Sequence, residues 1–118
     1  MKLERRIGST VEFPAYGMTQ VWVGPGLRLQ IYHTKVDHPV HSHTYNLKSK
    51  VLHAPHGFTE FVYDDDGKPD HEVRHYEGEI YDVAQVHQLM LEPLVVTLVI
   101  EGDPTGQQGQ VYDNPDRG

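Results

Sequence analysis

The sequence predicts an all-β fold, a sandwich or barrel of short strands forming one domain over residues 1–118. Three observations carry this. Gly and Pro recur roughly every 8 to 12 residues through most of the chain, the punctuation of regularly spaced short strands. The segments between them are rich in Val, Ile, Tyr, Phe and Thr, residues that fit a pleated, half-buried surface. No stretch of useful length carries apolar residues at helical spacing. A chain of 118 residues is enough for one modest core.

In chain order, residues 10–13 and 18–23 read as early strands, split by Pro14-Ala15-Tyr16-Gly17. Gly24-Pro25-Gly26 is a turn. Residues 27–33 then alternate apolar with polar, the pattern of a half-buried strand. Residues 40–52 are expected to bend into two strand pieces, followed by a turn at His53-Ala54-Pro55-His56-Gly57. Residues 58–63 run into the hairpin tip Asp64-Asp65-Asp66-Gly67-Lys68-Pro69-Asp70. That tip lacks the spaced acids and closing Glu of an EF-hand and reads as a solvated loop. Residues 71–76 pair back across it, Glu77-Gly78-Glu79 turns into 80–83, and 87–91 and 94–100 are the last clear strands. The core is expected over about 27–103, with N-terminal strands in 1–26. The Gly- and Gln-rich tail, 104–118, has little to bury and is expected to cover a sheet edge or fray.

Composition narrows the function classes. The net charge of −7 and the absence of a basic run argue against nucleic-acid binding, which needs clustered Lys and Arg. Lys2, Arg5 and Arg6 are interrupted by Glu4 and read as a solvated terminus. There is no cysteine, so a metal site must use nitrogen and oxygen ligands. No signal peptide is visible at the N-terminus, and the longest apolar run, 94–100, is far too short to span a bilayer. The expectation is a cytoplasmic protein with no membrane partner.

The most specific feature is His41-Ser42-His43 with His87 in a later strand. Two histidines at i and i+2 on a strand share a face, and an imidazole from a neighbouring strand would complete a facial triad with coordination positions left open. The other six histidines, His33, His38, His53, His56, His71 and His75, have no common ligand spacing and read mostly as surface or loop residues. Trp22, Tyr32, Tyr45 and Tyr81 are candidates for pocket walls or plain core aromatics. Gln85 and Gln88 flank His87 and either orient an imidazole or face solvent. No Cys nucleophile, G-x-S-x-G elbow or phosphate-binding Gly loop is present.

With these residues in place, the segment from Tyr32 to Asp103 resembles the cupin superfamily, the double-stranded β-helix or jelly-roll barrel. His41 and His43 match the H-x-H pair of its first motif, Gly57 lies near the end of that motif, and Gly78 and His87 match the Gly and His of the second. A narrower likeness is to small uncharacterised bacterial and phage cupin-like proteins, through His41-Ser42-His43-Thr44-Tyr45-Asn46-Leu47 and Gly57-Phe58-Thr59-Glu60, and through Val86-His87-Gln88-Leu89 with the strand ending at Glu101-Gly102. The family's Glu ligand falls here at Leu47 or Lys48, neither of which replaces a carboxylate.

The resemblance implies a divalent transition metal, Fe(II), Zn, Ni, Co or Cu, on His41, His43 and His87. It also implies a small-molecule ligand and dioxygenase-type chemistry on a small polar or anionic molecule. Where the family's Glu is missing, Lys48 is expected either to contact and steer an anionic group or to turn away from the ion as an exposed edge-strand residue, and Tyr45 or Asn46 can offer an extra oxygen unless Asn46 is a turn residue. A non-enzymatic binding or structural-metal module, or an accessory interaction protein, is the alternative. The likeness further implies a homodimer, formed through a sheet face or the strands of residues 1–23.

Overall fold

The computed structural model describes residues 7–106 and 111–112. The charged segment with Lys2, Arg5 and Arg6 lies outside the described residues, as does most of the predicted tail beyond 106. The regular elements are strands β1 (Thr10–Phe13), β2 (Met18–Gly24), β3 (Leu27–Tyr32), β4 (Val40–Ser42), β5 (Tyr45–His53), β6 (Phe58–Tyr63), β7 (Pro69–His75), β8 (Ile80–Asp82), β9 (Val86–Leu91), β10 (Val95–Pro104) and β11 (Val111–Tyr112). A single 3-10 turn, Pro14–Tyr16, separates β1 from β2. No α-helix occurs among the described residues, and no helix there is long and apolar enough to cross a membrane.

The strands form two antiparallel sheets. One has the order β1-β2-β3-β10-β5-β8 and the other β11-β4-β9-β6-β7. Hydrogen bonding does not close them into one barrel among the described residues; they share a core and a cavity. The predicted bend in 40–52 falls at His43 and Thr44, between β4 and β5. It carries the chain from the five-stranded sheet to the six-stranded one. The carbonyl of His43 accepts hydrogen bonds from Gln85 Nε2 at 2.5 Å and Thr105 Oγ1 at 3.1 Å, which pin this crossover.

One departure from the predicted elements has a physical reason, and the tail meets one of its two expectations. β10 runs to Pro104 instead of ending near residue 100, because it is flanked by β3 on one side and by β5 on the other, the latter pairing as far as Pro104 with Tyr45. β11, in the predicted tail, pairs with β4 at His41 and Val40, so part of that tail covers a sheet edge. Gly57 carries a conformation that only glycine takes easily, with φ +66° and a Cβ position that would lie 2.8 Å from the His75 carbonyl oxygen.

The main core gathers Met18, Tyr32, Val51, Ala54, Phe58, Leu89, Leu91 and Val95 from both sheets. Phe58 is 1% exposed, and burial of a side chain of this size stabilises the fold by about 1.5–3 kcal/mol. A smaller cluster of Val40, Tyr63 and Val86 forms a second core. β9 is buried on both faces from Val86 to Leu89, so its polar residues need partners inside the protein. Gln88 finds two: Tyr63 Oη donates to its Oε1 at 2.9 Å, and its Nε2 donates to the His38 carbonyl at 2.6 Å.

Candidate metal centre

Register puts the histidines together. β4 pairs with β9 so that His41 stands opposite His87, and the ring centroids of these two lie 4.6 Å apart. His43 lies just past the end of β4, not within it, so it reaches the cluster from the crossover and not from the strict i, i+2 geometry of one strand. One ring nitrogen from each of His41, His43 and His87 lies within 4.8 Å of the others. All three rings line a cavity of about 300 Å³ between the sheets.

The hydrogen bonds around the rings fix which nitrogens are free. His41 Nδ1 donates to the Pro39 carbonyl at 3.0 Å. His87 Nδ1 donates to Glu60 Oε2 at 2.6 Å. His43 has a backbone hydrogen bond to Gln85. With each Nδ1 turned to an oxygen acceptor, the Nε2 atoms of His41 and His87 face each other at 3.1 Å, within hydrogen-bond distance. Two imidazole nitrogens about 2.0–2.1 Å from a common ion, at right to tetrahedral angles, lie roughly 3 Å apart. The donor set therefore fits a metal ion.

Burial also keeps His41 and His43 neutral. Desolvation, reinforced by the charge of His87, pushes His41 down to about 3. The same two causes, with His41 and Arg28 adding, push His43 down to about 2. Neutral imidazole is the form that ligates metal.

Behind His87 lies an ionic chain that sequence reasoning missed. Glu60 on β6 is 2% exposed and accepts from His87 Nδ1, from the Ala84 amide at 3.1 Å and from His75 Nε2 at 2.9 Å. His75 on β7 donates its other nitrogen to Glu79 Oε2 at 2.7 Å, and its ring stacks on Tyr81 at 3.6 Å. Desolvation alone would raise Glu60, but the bonds from His75 and His87 outweigh it and hold the carboxyl at about 2. Burial alone would lower His75, but the two carboxylates outweigh it and raise its pKa. An ionised Glu60 thus holds His87 in one tautomer and one orientation, the usual service of a carboxylate behind a metal-binding imidazole. The signal was available: Glu60 shares the inward parity of Phe58 in a strand otherwise built for burial, and a buried carboxylate demands partners.

The remaining predicted residues divide. Tyr32 and Tyr81 line the cavity with His38, Gln30, Gln20 and Arg28. Tyr45, half-buried at the start of β5 opposite Pro104, is not among the lining residues, and neither is Trp22. Lys48 is not brought to the cluster. It alternates with the inward Leu47 and Ser49, points outward, and donates to Asp82 Oδ1 at 2.7 Å. Asn46 is exposed, and its amide donates to the Asp103 carbonyl at 3.3 Å. His33, His53, His56 and His71 are exposed as expected, whereas His38 and His75 are each 3% exposed and belong to the interior. Gln85 and Gln88 both bond to main chain inside the protein and do not face solvent.

The fold and the cluster define a two-sheet all-β protein with a partly buried three-histidine site open to a cavity. Compared with models of known families the chain matches none, and no curated protein matches it.

Proposed function

We propose that this protein is a metal-binding cupin of the double-stranded β-helix type, in which His41, His43 and His87 hold a divalent transition metal, Fe(II), Zn, Ni, Co or Cu, and that it carries out dioxygenase-type chemistry on a small molecule in the cytoplasm. The observation that carries the reading is the pair of facing Nε2 atoms at 3.1 Å, each on a ring whose other nitrogen is already committed. Three neutral ligands suit these ions and leave coordination positions open. A bound ion supplies Lewis acidity and a place for O₂ or water beside the substrate.

What the chain itself contributes is orientation and exclusion of water. Pro39, the Gln85 backbone and Glu60 hold the three rings with one nitrogen turned toward the common point. Met18, Tyr32 and Leu89 line the cavity beside the cluster with apolar surface. The cavity of about 300 Å³ suits one small molecule.

The test is metal content by elemental analysis of tag-free protein beside the His41→Ala/His87→Ala variant, followed by O₂ consumption of the metal-loaded protein against small-molecule panels. Near-stoichiometric metal, lost in the variant, is the expected result. Equal metal in both would remove the assignment of these residues. Metal without any turnover would leave a binding module in place of an enzyme.

A further inference from the structure

The wall of the cavity opposite the histidines is polar where a plain core would be apolar. Arg28, Gln30 and Tyr32 alternate along β3 and line the cavity, with Gln20 of β2, Thr97 of β10 and Ser49 of β5 beside them. Gln20↔Gln30 and Gln30↔Thr97 are register partners, so these neutral groups form one row across the sheet. The next row holds Arg28, Val99 and Ser49.

Arg28 stands out on this wall. Its side chain is 14% exposed, and its Nη1 donates to Glu101 Oε2 at 2.5 Å, with Glu101 8% exposed. Burial lowers the guanidinium pKa, and Glu101 draws it back up. Glu101 takes only one nitrogen. Among the described residues neither Nε, which has no open surface, nor Nη2 has a hydrogen-bond partner, and the guanidinium carbon lies 5.6 Å from the centroid of the Trp22 ring. Nη2 is the nitrogen left open to a carboxylate oxygen. A buried charged donor without an acceptor is costly and calls for an explanation.

We propose that Arg28, through its open Nη2, is the anchor for the carboxylate of a small organic acid, whose other polar atoms meet Gln20, Gln30 and Thr97 while its far end approaches the three-histidine cluster. The approach to a metal rests on the function proposed above; the Arg28 anchor does not. Because Glu101 already balances one positive charge, the anchor selects a single carboxylate by a charge-assisted hydrogen bond more than by bulk charge. Lys48, which the sequence offered for this task, is outside the cavity.

The experiment follows the Arg28 Nε–H resonance in proton–nitrogen spectra of the full chain, metal-free and with Co(II). Lactate and succinate are titrated beside their neutral amides, lactamide and succinamide. The expected result is a saturable shift with an acid and none with its amide. Arg28→Gln/Glu101→Gln, which removes both charges of the pair, should weaken acid binding roughly 10- to 100-fold, and Arg28→Lys should recover only part of it. The spectra themselves report whether each variant is folded. No saturable shift with either acid, equal shifts with acid and amide, or unchanged affinity in the double variant would overturn the proposal. Acid binding without Co(II) binding would sink the metal reading and leave the anchor standing; Co(II) binding without acid binding would do the reverse.

Discussion

The two sheets face the same cavity and treat their polar groups in opposite ways. On the five-stranded sheet the buried titratable groups are committed to one another: His87 to Glu60, Glu60 to His75, His75 to Glu79. On the six-stranded sheet the inward groups are mostly neutral amides and hydroxyls, and among the described residues the cation Arg28 keeps Nε and Nη2 without a hydrogen-bond partner. The difference separates two tasks. Mutual commitment fixes tautomers and orientations, which a metal centre needs before the ion arrives. Uncommitted donors on a rigid wall suit a ligand that comes and goes. The chain thus places the ordering of its ligand shell and the reading of its guest on different sheets.

The largest expected effect comes from breaking the commitment on the first sheet. Glu60→Gln keeps the shape but removes the charge that His75 and His87 share. Removing one partner of a buried ion pair costs about 3–5 kcal/mol, and loss of the group behind a metal-binding imidazole costs roughly 10- to 100-fold in affinity. Chemical denaturation and chelator competition with Zn(II) measure the two separately. Unchanged affinity would show that Glu60 supports the fold and does not tune the site. The acid limb gives a further check. Glu60 lies at about 2 in the fold against an ordinary 4.5, so its contribution is present above pH 4.5 and is lost as pH falls toward 2. In Glu60→Gln that limb should flatten.

A second, smaller effect separates the buried histidines from their metal. His38, His41 and His43 are pushed from 6.5 to about 4, 3 and 2 respectively, chiefly by desolvation. Below pH 6.5 the unfolded chain takes up protons that the folded, metal-free protein refuses. Stability is therefore present above pH 6.5 and declines as pH falls, at up to about 1.4 kcal/mol per pH unit for each such histidine. Thermal melting of the metal-free protein from pH 7.5 to 5 should show the decline, and His41→Gln/His43→Gln should flatten it. An equal slope in that variant would place the pH dependence elsewhere.

Much of this was legible because it rests on local rules. Strand punctuation by Gly and Pro placed most strands within a few residues, and the bend between β4 and β5 was visible in a run too long for one flat ribbon. The spacing of His41, His43 and His87 found the cluster. The rest depended on pairing across the sheets. Glu60 looks like an ordinary strand residue until β9 is set beside β6 with His87 opposite Val62, one step from Glu60 on the same face. Arg28 reads as the solvent half of an alternating strand; only the second sheet shows that Arg28, Gln30 and Tyr32 line the cavity. Lys48 misled for the converse reason. Its position in a family motif suggested the site, but β5 has period two, and Leu47 and Ser49 already take the inward places.

The smallest expected effect is the sharpest check on that last point. Lys48→Ala removes an ion pair whose partners are 60% and 81% exposed in their side chains. Exposed pairs of this kind contribute about 0–1 kcal/mol, so the denaturation midpoint should barely move and should move less still in high salt. Zn(II) affinity and carboxylate affinity should both match the wild type, because neither the histidines nor Arg28 contacts this face. A clear loss of carboxylate affinity in Lys48→Ala, with Arg28 intact, would return the anion-binding role to β5 and erase the division of labour between the sheets. The same titration that tests Arg28 decides it: the two variants must differ, and only the cavity-lining cation should matter.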